Sequence, residues 1–227
     1  MKFRRFFLAG AGVCLAATGS LMAAGGPFAV DDALIAPERG LIVETWYSRQ
    51  GTGSDERVAV LNYGWSERTE LGLGVARERE SGESVNLVEL GAKRVLTHAP
   101  VDGLGIALAA NVVINADDDR LQAMEAAVPV DAPVGDGRFV FRYNLGWSHD
   151  RDSDDRNVMT WGFGGDLLVI PAVSAIAEIY GDQRDSTEIQ TGVRFDLGFG
   201  SELDVVHGWE RRDPDTRWWT VGLALEF

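Results

Sequence analysis

This 227-residue sequence is short of three things: it has one cysteine, three histidines, and 21 basic side chains against 35 acidic ones. The lone cysteine, Cys14, excludes an internal disulfide. A formal charge of −14 excludes sequence-independent nucleic-acid binding, which needs a basic face to meet phosphates. No nucleotide loop, metal quartet or dinucleotide fingerprint occurs, so no cofactor is expected. Long apolar runs are missing too. The one candidate, Phe6 to about Ala17, is too short to span a bilayer as a helix. It follows Lys2, Arg4 and Arg5 and runs into Ala23-Ala24-Gly25, the three-part plan of a secretory signal over residues 1–25. Removing those three bases takes the formal charge from −14 to −17 and leaves no cysteine. Cys14 sits between Val13 and Leu15 with no small-residue pair leading into it, which argues against a lipid anchor.

Beyond Gly25 the apolar residues recur every second position, the period of a strand, and glycines interrupt any helical reading. Twelve such runs follow one another: about 40–50, 57–65, 69–79, 85–98, 104–116, 121–133, 138–149, 157–169, 173–182, 187–198, 202–211 and 217–227. Each is about ten residues long, the length a tilted strand needs to cross a bilayer. The connections alternate in kind. One set is short: Ser66-Glu67-Arg68, Pro100 to Gly103, Gly135-Asp136-Gly137, Pro171-Ala172 and Gly200-Ser201. The other set is more acidic and mostly longer, as in Asp117-Asp118-Asp119 and the run from Asp150 to Asp155. Tight turns on one rim and polar loops on the other predict an all-β, antiparallel, up-and-down transmembrane barrel of about twelve strands over residues 39–227. An even strand count places both termini on the periplasmic side, and localisation in the outer membrane follows.

In the last run Trp219, Val221, Leu223, Leu225 and Phe227 form one face, and Trp218, Thr220, Gly222, Ala224 and Glu226 the other. Elsewhere Phe139, Phe141, Tyr143, Leu145 and Trp147 alternate with Arg138, Arg142 and Asn144. An apolar face outside and a polar face inside invert a soluble barrel. With these directions Tyr47, Trp147, Trp161, Trp209 and Trp219 fall at the outer rim, and Tyr63, Trp65, Phe139 and Phe227 at the inner one. Aromatics at both levels are the girdles that bilayer interfaces favour. The expected partners are outer-membrane lipid, lipopolysaccharide phosphates at Arg120, Arg151, Arg156 and Arg217, and the barrel-assembly machinery through the strand ending at Phe227.

Pro27-Phe28 followed by Asp31-Asp32-Ala33, Gly40, Glu44, and Tyr63-Gly64 leading to Glu70-Leu71-Gly72 resemble the family of outer-membrane proteins associated with the meta-pathway of phenol degradation. Ala177-Glu178-Ile179-Tyr180-Gly181, Gln190 with Gly192 and Arg194, and Val221-Gly222-Leu223 before Phe227 continue the resemblance in order to the end of the chain. It implies an outer-membrane barrel acting as a transporter or channel for small organic molecules. The outer loops here are compact, which leaves little room for a ligand-gathering vestibule.

The inward face is expected to carry Glu44, Glu70, Glu89, Lys93, Asn111, Glu125, Arg138, Arg142, Asn144, Asp166, Glu178, Gln190, Arg194 and Asp204. Counting across the turns sets Arg138 opposite Asp166 and Glu178 near Gln190. Two functions fit: a passive channel whose charged lining selects the solute, or a closed structural barrel whose charges satisfy one another. Residues 26–38 are read either as a periplasmic tail or as a lumen plug, their acids suiting Lys93, Arg138, Arg142 and Arg194. An outer-rim enzyme would need His149 to work with Ser148 or loop aspartates, and neighbours along a strand face opposite ways, so no enzyme is expected. Asp150-Arg151-Asp152-Ser153-Asp154 has the opening spacing of a calcium loop but lacks the later glycine and glutamate, so no metal site is expected.

Overall fold

The computed structural model describes residues 26–51, 53–99, 103–153, 156–184, 187–213 and 216–227. The signal-sequence reading and Cys14 lie outside these, as do Pro100, Asp154, Asp155, Asp185 and Asp215 of the turn and loop readings. Period-two alternation becomes twelve strands: β1 (Leu41–Gln50), β2 (Asp55–Ser66), β3 (Thr69–Glu80), β4 (Glu83–Thr97), β5 (Gly105–Asn115), β6 (Arg120–Val134), β7 (Phe139–Asp150), β8 (Asn157–Ile170), β9 (Val173–Asp182), β10 (Thr187–Gly198), β11 (Ser201–Glu210) and β12 (Arg217–Glu226). Each pairs antiparallel with its chain neighbour, and β12 returns to β1, closing the barrel. The seam is completed at the inner rim by Leu41 N–H to the Phe227 carbonyl, 3.0 Å, and the reciprocal bond, 2.8 Å. Closure removes every sheet edge, which matters where no water is available to satisfy one.

Outward-facing Leu61, Leu73, Leu90, Phe141, Tyr143, Leu145, Phe163 and Val221 are all exposed. So large an apolar belt on a closed antiparallel barrel is a surface for hydrocarbon. No helix among the described residues is long and apolar enough to cross a membrane, and the apolar belt is carried by the strands.

At the outer end of β4 the Asn86 backbone N–H donates to Asp117 Oδ2 at 2.9 Å and its Nδ2 to Oδ1 at 2.8 Å. Both bonds favour the ionised carboxylate and hold Asp117 below the ordinary carboxylate range. A depressed folded value means that the anchorage is complete at neutral pH and is lost as pH falls through that value. Hydrogen exchange should show constant protection of the Asn86 amide down through the ordinary carboxylate range and loss only in stronger acid. Unchanged protection in Asp117→Asn would show that the carboxylate does not hold this corner.

Candidate functional site

Residues 26–38 enter the interior, with Leu34, Pro37 and Glu38 left exposed. Phe28, Val30, Asp31, Asp32, Ala33 and Ala36 are all buried there. Their contacts follow the barrel wall round almost a full circuit. Pro27 lies against Gly222 of β12, Phe28 against Gly192 of β10, and Val30 against Gly162 and Gly164 of β8. Ala33 faces Gly105 of β5, and Pro37 abuts Gly64 of β2, beside the parallel bridge between Glu38 and Gly64. A Cβ at Gly64 would stand 1.9 Å from the Pro37 carbonyl oxygen, and one at Gly192 would stand 2.8 Å from the Phe28 ring. Glycine is therefore required at both positions by the close approach of the segment.

Apart from the single bridge at Glu38 the segment has no sheet partner among the described residues, so inward side chains satisfy its backbone. Glu178 accepts the N–H groups of Ala29 and Val30, at 3.0 and 3.3 Å. Asp131 accepts that of Ala33 at 3.1 Å, and Glu70 that of Ala36 at 2.6 Å. The Asn144 carboxamide takes the Asp31 N–H at 2.6 Å and donates to its carbonyl at 2.9 Å. These acceptors stand where an extended peptide needs them, because buried amide groups must be paired.

Charge complementarity fixes the rest. Lys93, 1% exposed, donates to Asp31 at 2.8 Å and lies 3.5 Å from Asp32. Arg142 stands 3.9 Å from Asp32, 3.7 Å from Asp131 and 3.4 Å from Asp166. Arg194 binds both Asp204 oxygens, at 2.8 and 3.0 Å, and caps the Phe28 ring at 5.2 Å. Each of these three bases thus engages acids of the wall, of the segment, or of both. Above the segment, towards the outer rim, lies a cavity of about 90 Å³ lined in part by Trp46, Tyr180 and Trp218 and by carboxylates of β2 and β3.

Glu44, Glu70, Glu89, Lys93, Asn111, Arg142, Glu178, Gln190 and Asp204 are buried on the inward face. Glu125, Asn144, Asp166 and Arg194 are half-buried on the same face. Glu178 and Gln190 are register partners joined at 2.6 Å. Arg138 is a correction. The turn after β6 takes four residues, with Asp136 accepting the Arg138 N–H, so Arg138 is exposed at the rim and donates to the Leu168 and Val169 carbonyls. Asp166 is instead paired in register with Val140 and approached by Arg142.

At the girdle positions Tyr47, Trp65, Trp219 and Phe227 are exposed, and Trp147, Trp161 and Trp209 are half-buried. His207 stacks on Trp219 at 4.3 Å, and His149 meets Asn157 at 3.0 Å. Ser148 is the register partner of inward Glu125, so His149 points outward, away from it. Asp150 accepts the Asp152 N–H, and no cluster of three metal-ligating side chains occurs among the described residues. At the outer rim Arg120 pairs with Asp118, and Arg151 donates to the Leu121 carbonyl.

Sequence reading placed Trp218 on the inward face but did not identify the inward apolar clusters. Trp46, Val58, Val60, Ala76, Leu87, Val113 and Ala123 form a cluster across β1–β6. Val30, Tyr180 and Trp218 form another. The signal for Trp46 was present: Trp46-Tyr47, like Trp218-Trp219, is a pair of adjacent aromatics in a period-two strand, and such a pair must straddle the wall.

A closed twelve-strand barrel with an apolar outside and a charged, segment-filled inside is a porin-like membrane barrel. The chain belongs to the family described as "Uncharacterised conserved protein UCP029691", whose model matches residues 12–227. Similar solved structures include the KdgM porin, with TM-score 0.65 and 12% identity over 82% of this chain and 99% of that one. The NanC porin matches with TM-score 0.63 and 9% identity over 81% and 98%. The COG4313 outer-membrane channel from Pseudomonas putida F1 matches with TM-score 0.63 and 12% identity over 86% and 98%. At such identities the likeness is one of fold. No curated protein matches the sequence.

Proposed function

We propose that the protein is a passive outer-membrane channel for small molecules, and that residues 26–38 are its plug. The observation that carries this reading is the segment itself. It is held by side-chain acceptors and ion pairs rather than by continuous sheet pairing, so it can leave without unpairing the wall. Its acids Asp31 and Asp32 neutralise Lys93 and Arg142, and acids of the wall remain when it moves. An acid-rich lumen favours cations and neutral solutes and repels anions. The KdgM porin, by comparison, is solved in complex with disordered oligogalacturonate.

The resemblance to the phenol meta-pathway family adds a finer expectation, that the solutes are small organic molecules. The inward rings of Trp46, Tyr180 and Trp218 suit such solutes, while the carboxylates disfavour anionic ones. In this proposal the belt faces outer-membrane lipid and lipopolysaccharide, the strand ending at Phe227 engages the assembly machinery, and the barrel is not an enzyme. Planar bilayers holding refolded protein in a KCl gradient are expected to show discrete openings with a cation-selective reversal potential. A permanently silent membrane would favour the closed structural barrel, a reading for which the buried, packed interior already speaks.

A further inference from the structure

We infer that the cavity above the plug is a binding site for a small organic cation entering from the outer face. The inference deepens the channel reading by naming a solute class, and rests on that reading only for transport, not for binding. The cavity, about 90 Å³, has the volume of about three waters, enough for a compact head group whose remainder lies in the outer mouth.

Two features converge there. The first is aromatic: Trp46 and Trp218, each 8% exposed, and Tyr180, 7% exposed, present inward rings around the cavity. Ring faces attract cations, most strongly where water is excluded. The second is charge. Glu56 and Glu78, both lining the cavity, are direct register partners across β2 and β3, an arrangement of like charges that a bound cation relieves without either carboxylate taking up a proton. Glu78 Oε1 is buried without a hydrogen-bond partner among the described residues. Trp46 donates to Glu56 and fixes that carboxylate beside its ring. Among the described residues that line the cavity the only base is Arg79, set opposite Asp55 at the rim. The buried bases Lys93 and Arg142 lie outside the lining and are engaged with Asp31, Asp32 and their neighbours.

A simple metal ion would not use the rings, and a neutral or anionic aromatic would leave the carboxylates unanswered. An alkylated ammonium uses both. The plug forms the floor, since Pro27, Phe28 and Ala29 line the cavity as well, so an occupant would touch the segment that must move for passage.

The test is titration of the full mature chain, refolded in detergent, with choline and with its uncharged carbon isostere 3,3-dimethylbutan-1-ol, read by tryptophan fluorescence and calorimetry. Choline should bind saturably, and the isostere roughly tenfold or more weakly, since charge–ring attraction in a desolvated site is worth about that factor. Glu56→Gln with Glu78→Gln should weaken choline by a similar factor, as should Trp218→Leu, and equimolar KCl should not displace it. Equal binding of the isostere would overturn the proposal, as would displacement by KCl, absence of saturation, or indifference to these substitutions. Comparing two ligands on the unaltered protein keeps the test sound if a variant refolds poorly. Binding without bilayer openings would leave the site standing and defeat the channel reading alone.

Discussion

Deleting residues 26–38 is expected to raise single-channel conductance by an order of magnitude or more while the barrel remains assembled. The segment touches β12, β10, β8, β5 and β2 in turn, so it obstructs the lumen on every side rather than from one wall. A twelve-strand barrel stripped of it retains glycines where the segment lay, at 64, 162, 164, 192 and 222, and those positions cannot refill the space. Ladder pairing of all twelve strands stays intact, since the one bridge from the segment to a strand is Glu38 to Gly64. The shift in gel mobility between heated and unheated protein would confirm an assembled barrel, and planar-bilayer recordings would read the conductance. An assembled deletion variant as quiet as the full chain would show that the segment is not the obstruction.

Lys93→Met should be the most damaging single substitution in the lumen. Methionine keeps an unbranched stem one atom shorter and removes the ammonium, charge and donors together, that Asp31, at 2.8 Å, and Asp32, at 3.5 Å, share. Removing one partner of a buried pair costs about 3–5 kcal/mol, because the remaining charge is stranded where water does not reach. The cost falls on seating of the segment, since Lys93 reaches it and Asp31 is not part of the wall. The expected result is frequent openings and faster protease cleavage within residues 26–38, with the strand ladder unaffected. Adding Asp31→Asn should recover much of the loss, because deleting both members of a pair costs less than deleting one. Failure of the double variant to recover would place the role of Lys93 with Glu70 and the wall rather than with the segment.

The strands were legible because membrane barrels impose the simplest of periods. Lipid on one side and lumen on the other make every second residue apolar, and the twelve runs read from the sequence coincide with the strands to within about two residues. The charged inward residues were legible for the same reason. Arg138 failed because a turn length decides whether a residue belongs to a strand end, and the Asp136 to Arg138 bond lengthened that turn by one residue. The inward apolar clusters were invisible because the alternation signal marks polar inward positions, and Val58, Val60, Ala76 and Leu87 look like ordinary strand residues. A narrow lumen can be filled by such side chains only if opposing walls and the segment supply contacts, which a single run cannot report.

What the sequence determined alone is local and periodic: twelve amphipathic strands, the sidedness of the turns, the acid excess and the inward charges. Tertiary structure decided the path of residues 26–38, because nothing in Gly26-Pro27-Phe28-Ala29-Val30 names glycines at 162, 192 and 222 as its bed. It also decided which acid meets which base, and it brought Trp46, Tyr180 and Trp218 together from three strands around one cavity. The physical reason is closure. Alternation tells each residue which side of the wall it occupies, but only when β12 meets β1 do inward side chains acquire neighbours across the lumen.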